Sequence, residues 1–202
     1  MPGQDCFLKK KLVFLHGFLS SPDSEKAQIL RHNLQLFPQA LGFEAPQIPL
    51  DLERAQVMLA DLVVQSRRNH VEPVFIGSSL GGFFAWQLAA EFAVKAVLVN
   101  PAVQPDISLQ QYPDTVQNPY TGETLHINQN VTETLKKWRE TRRIPNKQIM
   151  LVLQTGDEVL DYRDALNRFP VSQALIQPRG SHRFEQFETT LPAISHFLNL
   201  NK

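Results

Sequence analysis

A chain of 202 residues with 43% hydrophobic positions can bury a sizeable core, and we expect a single domain over 1–202. Its 20 lysines and arginines balance 20 aspartates and glutamates, so no overall charge favours nucleic acid or an anionic membrane as partner. One cysteine, Cys6, excludes an internal disulfide, and no stretch approaches the roughly 18 uninterrupted apolar residues of a membrane span. These features predict a soluble cytoplasmic protein.

Short apolar runs alternate with longer segments of helical period, which predicts a mostly parallel six-stranded sheet with helices on both faces. The first run follows a basic patch, but it is short and contains His16, so a strand fits it better than a signal peptide. The predicted strands are 12–15, about 44–48, 73–77, 95–99, 149–154 and 172–177.

Helices are predicted to connect these strands. The pair Ser21-Pro22 is typical of a helix start, with serine as N-cap and proline at the first helical position. Asp51 precedes a second amphipathic segment, which ends in the polar sequence SRRN. Further helices are expected from about Leu80, from near Tyr162, and over the tail 184–200, where Pro192 would disturb the middle of the helix.

The interval 101–146 is much longer than the crossover connections of ordinary α/β domains. It contains the turn-forming sequence NPYTGE at 118–123 and a predicted helix over about 132–143. We interpret it as an inserted cap or a mobile loop. A cap would border the ligand site, because it follows the carboxyl end of a strand, where open α/β sheets bind their ligands.

The sequence GSSLG at 77–81 lies between an apolar run and a helical segment, and it matches the G-x-S-x-G nucleophile elbow. Ser79, the central serine, would occupy strained backbone on the turn from strand to helix. Gly77 and Gly81 would remove the β-carbons that collide with the neighbouring elements. Ser79 is therefore the candidate nucleophile, and Ser78 helps to shape the turn. A turn without catalytic function is the alternative.

A serine hydroxyl needs a base, and the base needs an acid that orients it. In this architecture the chain order is serine, acid, histidine, and the acid follows the fifth predicted strand. We choose Asp157 over Glu158 and Asp161, because it comes directly after the end of that strand; Asp161 fits a helix N-cap instead. His182, in the loop after the sixth strand, is the candidate base.

The sequence HGF at 16–18 ends the first predicted strand, where enzymes of this architecture build part of an oxyanion hole. We assign the two oxyanion donors to the N–H groups of Leu80 and Phe18. His16 and Gly17 are interpreted as shaping the loop. No cysteine–histidine or carboxylate cluster has the spacing of metal ligands, so we expect neither a metal nor a cofactor.

The segment 136–147 is locally basic, with six lysines and arginines and one acid, Glu140. Two interpretations stay open. The charges could form an ordinary solvated helix face, as charge runs usually do. Alternatively, they could border the site entrance and bind the phosphates of a coenzyme A leaving group.

Several motifs occur together in a fixed order along nearly the whole chain: LHGFLSSP at 15–22, GSSLGG at 77–82, VNPAV at 99–103, NPYTGE at 118–123, TGDEVLDYR at 155–163 and GSHRFEQFE at 180–188. This combination resembles the YqiA-like family of small bacterial α/β-hydrolase esterases. The resemblance implies a minimal α/β-hydrolase fold and a serine esterase that acts on small acyl esters, with Ser79, Asp157 and His182 at the matching positions. An acyl-CoA thioesterase is the alternative, and a non-catalytic ligand-binding or interaction module is the alternative of another class. The sequence carries no signal for the oligomeric state.

Overall fold

The centre of the fold is a parallel sheet, in a computed structural model that describes residues 9–142 and 145–201. Cys6 and Arg143 therefore lie outside the described residues. The strands are β1 (Lys9–Leu15), β2 (Ala40–Glu44), β3 (Val71–Ser78), β4 (Ala96–Val99), β5 (Thr115–Gln117), β6 (Thr124–His126), β7 (Ile149–Gln154) and β8 (Gln173–Gln177). Six of them pair in the order β2-β1-β3-β4-β7-β8, all parallel, whereas β5 and β6 form a separate antiparallel hairpin.

Five of the six predicted strands are confirmed in place, but the second was predicted too late in the chain. The structure has β2 over Ala40–Glu44, where Phe43 pairs with Leu12 of β1. The predicted range 44–48 includes Pro46, which has no N–H for a ladder hydrogen bond. The strand therefore ends before the proline.

The sheet needs cover on both faces, because its side chains alternate and both sets are buried. In β1, Leu12 and Phe14 point to one face and Val13 and Leu15 to the other, all nearly inaccessible to solvent. The α-helices of the described part are α1 (Glu25–His32), α2 (Leu52–Arg68), α3 (Leu80–Phe92), α4 (Pro105–Ser108), α5 (Gln129–Thr141), α6 (Tyr162–Arg168) and α7 (Leu191–Leu198). Residues of α1 and α7 pack on the face of Leu12, and residues of α2, α3 and α6 pack on the face of Val13.

Two predicted helix starts are wrong. Ser24, not Ser21, is the N-cap of α1, while the Ser21 hydroxyl accepts a hydrogen bond from the Asp23 N–H in the preceding turn. In the tail, Pro192 lies in the first turn of α7 rather than in the middle of a helix. That position suits proline, since the first N–H groups of a helix have no partner within it. The starts of α2, α3 and α6 are confirmed, with Asp51 accepting from the Arg54 N–H as N-cap of α2.

The predicted cap is an insertion between β4 and β7 that holds α4, the β5–β6 hairpin and α5. NPYTGE forms the turn of the hairpin, in which the Gly122 N–H donates to the Asn118 carbonyl at 2.8 Å. The helix predicted over 132–143 begins earlier, at Gln129, because Asn128 caps it. Arg139 of α5 binds Asp106 of α4 through two hydrogen bonds of 2.9 and 3.0 Å. This pair joins the two helices of the cap.

Candidate active site

Ser79 alone forms the turn between β3, which ends at Ser78, and α3, which begins at Leu80. Its φ of +55° and ψ of −120° are rare for a residue with a β-carbon. Two main-chain hydrogen bonds of 3.1 Å hold it there, from the Ser79 N–H to the Val99 carbonyl and from the Ala102 N–H to the Ser79 carbonyl. The end of β4 therefore stabilises the strained turn and presents the serine hydroxyl above the carboxyl edge of the sheet.

The glycines of the elbow allow backbone to approach backbone. A β-carbon on Gly77 would lie 2.2 Å from the Gly81 carbonyl oxygen, and one on Gly81 would lie 2.1 Å from the Leu15 carbonyl oxygen. Both distances are far inside van der Waals contact. The contacts explain why the spacing of the motif includes a glycine two residues before and two residues after the serine.

Ser79, His182 and Asp157 are joined by hydrogen bonds, although they come from three separate loops. His182 Nε2 lies 3.1 Å from Ser79 Oγ, and His182 Nδ1 lies 2.8 and 3.0 Å from the two Asp157 oxygens. A carboxylate can only accept, so Nδ1 carries the proton and Nε2 is free to accept from the serine hydroxyl. The structure thus brings together the three residues that the sequence selected.

The three acids after β7 have different partners. Asp157 also accepts hydrogen bonds from the N–H groups of Val159 and Leu160, which fix its carboxylate toward His182. Glu158 accepts from the His182 main-chain N–H, and this bond lowers the pKa of Glu158. Asp161 is the N-cap of α6, as predicted, and hydrogen bonds from the Arg163 side chain lower its pKa.

Two buried amides that the sequence interpretation missed support the loop that carries His182. Asn100 donates to the Ser181 carbonyl at 3.1 Å and accepts from the Gln154 N–H at 3.0 Å. The Gln154 side chain accepts from the N–H groups of Ser181 and Glu185 at 3.1 and 2.9 Å. Both amides end apolar runs, at the carboxyl ends of β4 and β7. A polar residue at the end of a buried strand was therefore the signal that could have found them.

The loop of the predicted oxyanion donor lies against Ser79. A β-carbon on Gly17 would be 3.3 Å from Ser79 Cβ and 3.9 Å from Ser79 Oγ. His16 is buried, and its ring joins this loop to a neighbouring segment: Nε2 accepts from the Ile48 N–H at 3.0 Å, and Nδ1 donates to the Gly17 carbonyl at 2.9 Å. Burial lowers the pKa of His16, so its ring is neutral and shapes the loop through these two bonds.

The Leu80 N–H lies in the first turn of α3, where a helix leaves its N–H groups without intrahelical partners. This N–H directly follows Ser79 in the chain. A negative charge that develops beside the serine would therefore meet a free donor and the positive end of the helix dipole.

A cleft of about 370 Å³ opens beside Ser79 and His182. The cap contributes two of its walls, Tyr112 and Tyr120, and the Tyr112 ring packs edge-on against Phe18 with 5.1 Å between centroids. A hydrogen bond of 3.3 Å from the Asn118 side chain to the Ser20 carbonyl attaches the hairpin to the loop after β1, next to the cleft. The cap therefore helps to shape the entrance to the serine, and the other lining residues include Ser24, Glu25, Lys26 and Arg183.

The basic segment 136–147 does not line this cleft in its described residues. Arg139 binds Asp106, and Arg142 donates to Gln87 at 3.0 Å and to Glu91 at 2.7 Å. These arginines fasten α5 to α4 and α3. The hypothesis that the segment borders the site entrance is therefore wrong for Arg139 and Arg142.

Neither a metal-binding cluster nor a membrane-spanning helix is found in the part of the chain that the structure describes. Over 9–142 and 145–201, no three histidine, cysteine, aspartate or glutamate side chains are grouped so that they could hold an ion. None of the helices in those ranges is long and apolar enough to span a bilayer.

Comparison with known proteins places the chain in a family and a fold. The model of an uncharacterised protein family, UPF0227, matches residues 11–199. A structure of Est1E from Butyrivibrio proteoclasticus with ferulic acid bound superposes with a TM-score of 0.73 at 15% identity, over 97% of this chain and 91% of that one. The esterase domain of a Rhodothermus marinus protein gives a TM-score of 0.65 at 13% identity, over 94% and 86% of the two chains.

Mouse alpha/beta hydrolase domain-containing protein 10 is similar to the same extent, with a TM-score of 0.64 at 14% identity over 94% of this chain and 89% of that one. At such identities the likeness shows the fold alone, which is the α/β-hydrolase fold that the sequence predicted. Since the family model spans nearly all of the described residues, the chain belongs to the UPF0227 family, the YqiA-like family of α/β-hydrolase proteins.

Proposed function

We propose that this protein hydrolyses carboxylic esters through an acyl-enzyme formed on Ser79, with His182 as general base and acid and Asp157 as the residue that orients it. One observation carries the proposal. The hydrogen bonds of 3.1 and 2.8 Å that run from Ser79 Oγ through the imidazole to Asp157 lie at the wall of an open cleft.

The first half of the reaction begins when Ser79 Oγ attacks the ester carbonyl carbon and His182 Nε2 takes the hydroxyl proton. The imidazolium that forms is stabilised by Asp157, whose side chain is only 2% exposed. Water screens this charge pair weakly, so the carboxylate stabilises the imidazolium more than it would at a surface. The carboxylate also fixes the tautomer that leaves Nε2 unprotonated before the attack.

The tetrahedral intermediate carries its negative charge on the former carbonyl oxygen. We assign the Leu80 N–H and the Phe18 N–H as the donors to this oxygen. The first is at the start of α3 and the second is in the loop that contacts Ser79 through Gly17. Loss of one such donor typically lowers turnover by a factor of about 10² to 10³.

The intermediate then collapses, the bond from carbon to the alcohol oxygen breaks, and His182 gives its proton to the departing alcohol. A water molecule takes the place of the alcohol, and His182 Nε2 removes one of its protons as it attacks the acyl-enzyme. Collapse of the second intermediate returns the proton to Ser79 Oγ and releases the carboxylic acid. Every proton transfer therefore passes through His182 Nε2.

Small carboxylic esters are the substrate class that we assign. Solved proteins of similar fold include Est1E, with ferulic acid bound, and an esterase domain, which supports ester cleavage over other reactions of the fold. The cleft, at about 370 Å³, has the size of a small-molecule site. A non-catalytic binding module would gain nothing from a strained serine that is hydrogen-bonded to a histidine.

A fluorophosphonate probe tests the proposal, because it reacts with activated serines. We expect the wild-type protein to be labelled and to cleave 4-nitrophenyl butyrate. Ser79→Ala should lose labelling and at least about a thousandfold in turnover, whereas the neighbouring Ser78→Ala should remain labelled. Equal loss in two folded variants would show that the nucleophile is misassigned, and no labelling of the wild type would favour the non-catalytic module.

A further inference from the structure

The first turn of α1 contributes charge to the candidate active-site cleft. Ser24, Glu25 and Lys26 line the same cleft as Ser79 and His182, and so does Arg183, which directly follows the candidate base. Neither the helix start nor the two cations had a predicted function in the sequence interpretation. Their position beside the candidate nucleophile raises the question of what they bind.

Lys26 is a largely buried cation that forms no direct ion pair with any of the described residues. Burial lowers its pKa from 10.5 to about 8; Glu25 and Asp157 oppose this shift, and Arg183 adds to it. Within the described residues, the Lys26 ammonium makes no ion pair or hydrogen bond. An ammonium withdrawn from water without compensation destabilises the fold. A bound anion would compensate the charge of the Lys26 ammonium.

Arg183 is exposed and likewise has no ion-pair partner among the residues described. Among the described residues that line the cleft, Glu25 is the one acid, and it is exposed. Solvent screens Glu25 more than it screens the buried Lys26. The lining of the cleft therefore has an excess of positive charge.

Ser24 adds an unused hydrogen-bonding group. It is the N-cap of α1, yet its hydroxyl does not cap the helix. Its Oγ is buried and has no hydrogen-bond partner in the described part of the chain. The N–H groups of the first turn that follows also lack intrahelical acceptors, and the positive end of the helix dipole lies there.

We propose that Ser24, Lys26 and Arg183 form a subsite for an anionic group of the ester substrate, a carboxylate or a phosphate carried near the scissile bond. The subsite rests on the proposed function, because it makes Ser79 selective for esters that bear negative charge. Arg183 would reach the anion from the solvent side, and Lys26 would meet it in the interior of the cleft. The sequence analysis considered the segment 136–147 as a source of anion-binding cations. In this proposal the cations come from α1 and from the loop that carries His182.

The anion can belong to the acyl part or to the leaving group, and three esters distinguish these sources. 4-Nitrophenyl butyrate is neutral, mono-4-nitrophenyl glutarate carries a carboxylate on the acyl side, and 4-butyryloxybenzoate carries one on the leaving group. We expect kcat/KM for one of the two anionic esters to exceed that for the neutral ester by about tenfold or more, after correction for intrinsic reactivity measured in alkaline hydrolysis.

Lys26→Met keeps the length and apolar stem of the side chain and removes its charge, so it should lower the ratio of anionic to neutral kcat/KM by about tenfold. Arg183→Gln should lower the ratio by a smaller factor, because the side chain is exposed; this surface variant also keeps the test valid if Lys26→Met does not fold. Lys136→Gln, an exposed lysine of α5 outside the cleft, should leave the ratio unchanged.

A protein that is labelled by the fluorophosphonate and cleaves the three esters with equal corrected kcat/KM would overturn the anion subsite and leave the esterase proposal intact. An anionic preference that survives both Lys26→Met and Arg183→Gln would also overturn it. A protein that neither reacts with the probe nor cleaves any of the esters would overturn the proposed function, and with it the subsite.

Discussion

Asp157 Oδ2 lies 2.8 Å from His182 Nδ1, and this contact joins the loop after β7 to the loop after β8. The carboxylate is almost fully shielded, whereas the imidazole is 22% exposed and reaches the cleft on its opposite edge. The carboxylate is thus held inside the protein, and the imidazole faces the cleft. Asp161, four positions later, is bound to its own helix instead.

Single substitutions of these two aspartates distinguish a residue that orients His182 from one that only stabilises a helix. Asp157→Asn should preserve the fold but lower kcat by order 10⁴, since an amide can donate to Nδ1 and favours the wrong imidazole tautomer. Asp161→Ala should leave kcat nearly unchanged and lower the midpoint of urea unfolding, because the N-cap of α6 is lost. Ester hydrolysis and urea unfolding measure the two effects, and the opposite ranking would identify Asp161 as the orienting acid.

Gly81→Ala should disturb both stability and reactivity. The new methyl group would lie 2.1 Å from the Leu15 carbonyl oxygen at the end of β1 and 2.5 Å from that of His16 in the loop that follows. We expect a loss of about 1–3 kcal/mol in urea unfolding and slower fluorophosphonate labelling. Gly42→Ala is the matched control, because a β-carbon there would have no described atom within 4 Å apart from those of Gly42 and its two chain neighbours. Equal stability of the two variants would contradict the contact.

Gln154 should act as a positioning residue for His182. Gln154→Leu leaves the N–H groups of Ser181 and Glu185 without their acceptor, which we expect to lower stability by roughly 1–3 kcal/mol and to lower kcat more than it changes KM. Thr190→Val removes another buried hydroxyl, which donates to the Phe187 carbonyl. That control should lose stability without loss of kcat. A Gln154 variant with normal kcat would show that its function is structural only.

Lys26 should make stability depend on alkaline pH. Its pKa of about 8 in the folded state is below its ordinary value of 10.5, so the charged form destabilises the fold fully below pH 8 and loses that effect between pH 8 and 10.5. Lys26→Met should therefore raise the free energy of unfolding at pH 7 by up to roughly 3 kcal/mol. The gain should shrink toward pH 10.

Urea titrations of both proteins at pH 7, 9 and 10 measure this difference. The charged groups that act on Lys26 are Glu25, Asp157 and Arg183. Lys136→Met, at an exposed position, should show no such pH dependence. A stability gain for Lys26→Met that stays constant from pH 7 to pH 10 would mean that the lysine is not buried as a charged group.

Local sequence determined the parts of the protein that depend on local sterics and periodicity. The apolar runs located five of the six strands, because a strand buried on both faces must be apolar along its length. The glycine spacing around Ser79 identified the elbow, since a tight turn between a strand and a helix excludes nearby β-carbons. Asp157 and His182 followed from the order in which parallel strands bring their carboxyl-end loops to one edge of the sheet.

Only the tertiary structure decided which distant groups meet. Asn100 and Gln154 bond the His182 loop across the sheet edge, and Arg139 and Arg142 are used to hold the cap on the body. Lys26 lines the cleft because α1 packs on the sheet with its first turn toward Ser79. The packing of elements that are far apart in the chain determines which side chains meet. Residue type and spacing within one segment do not predict that packing.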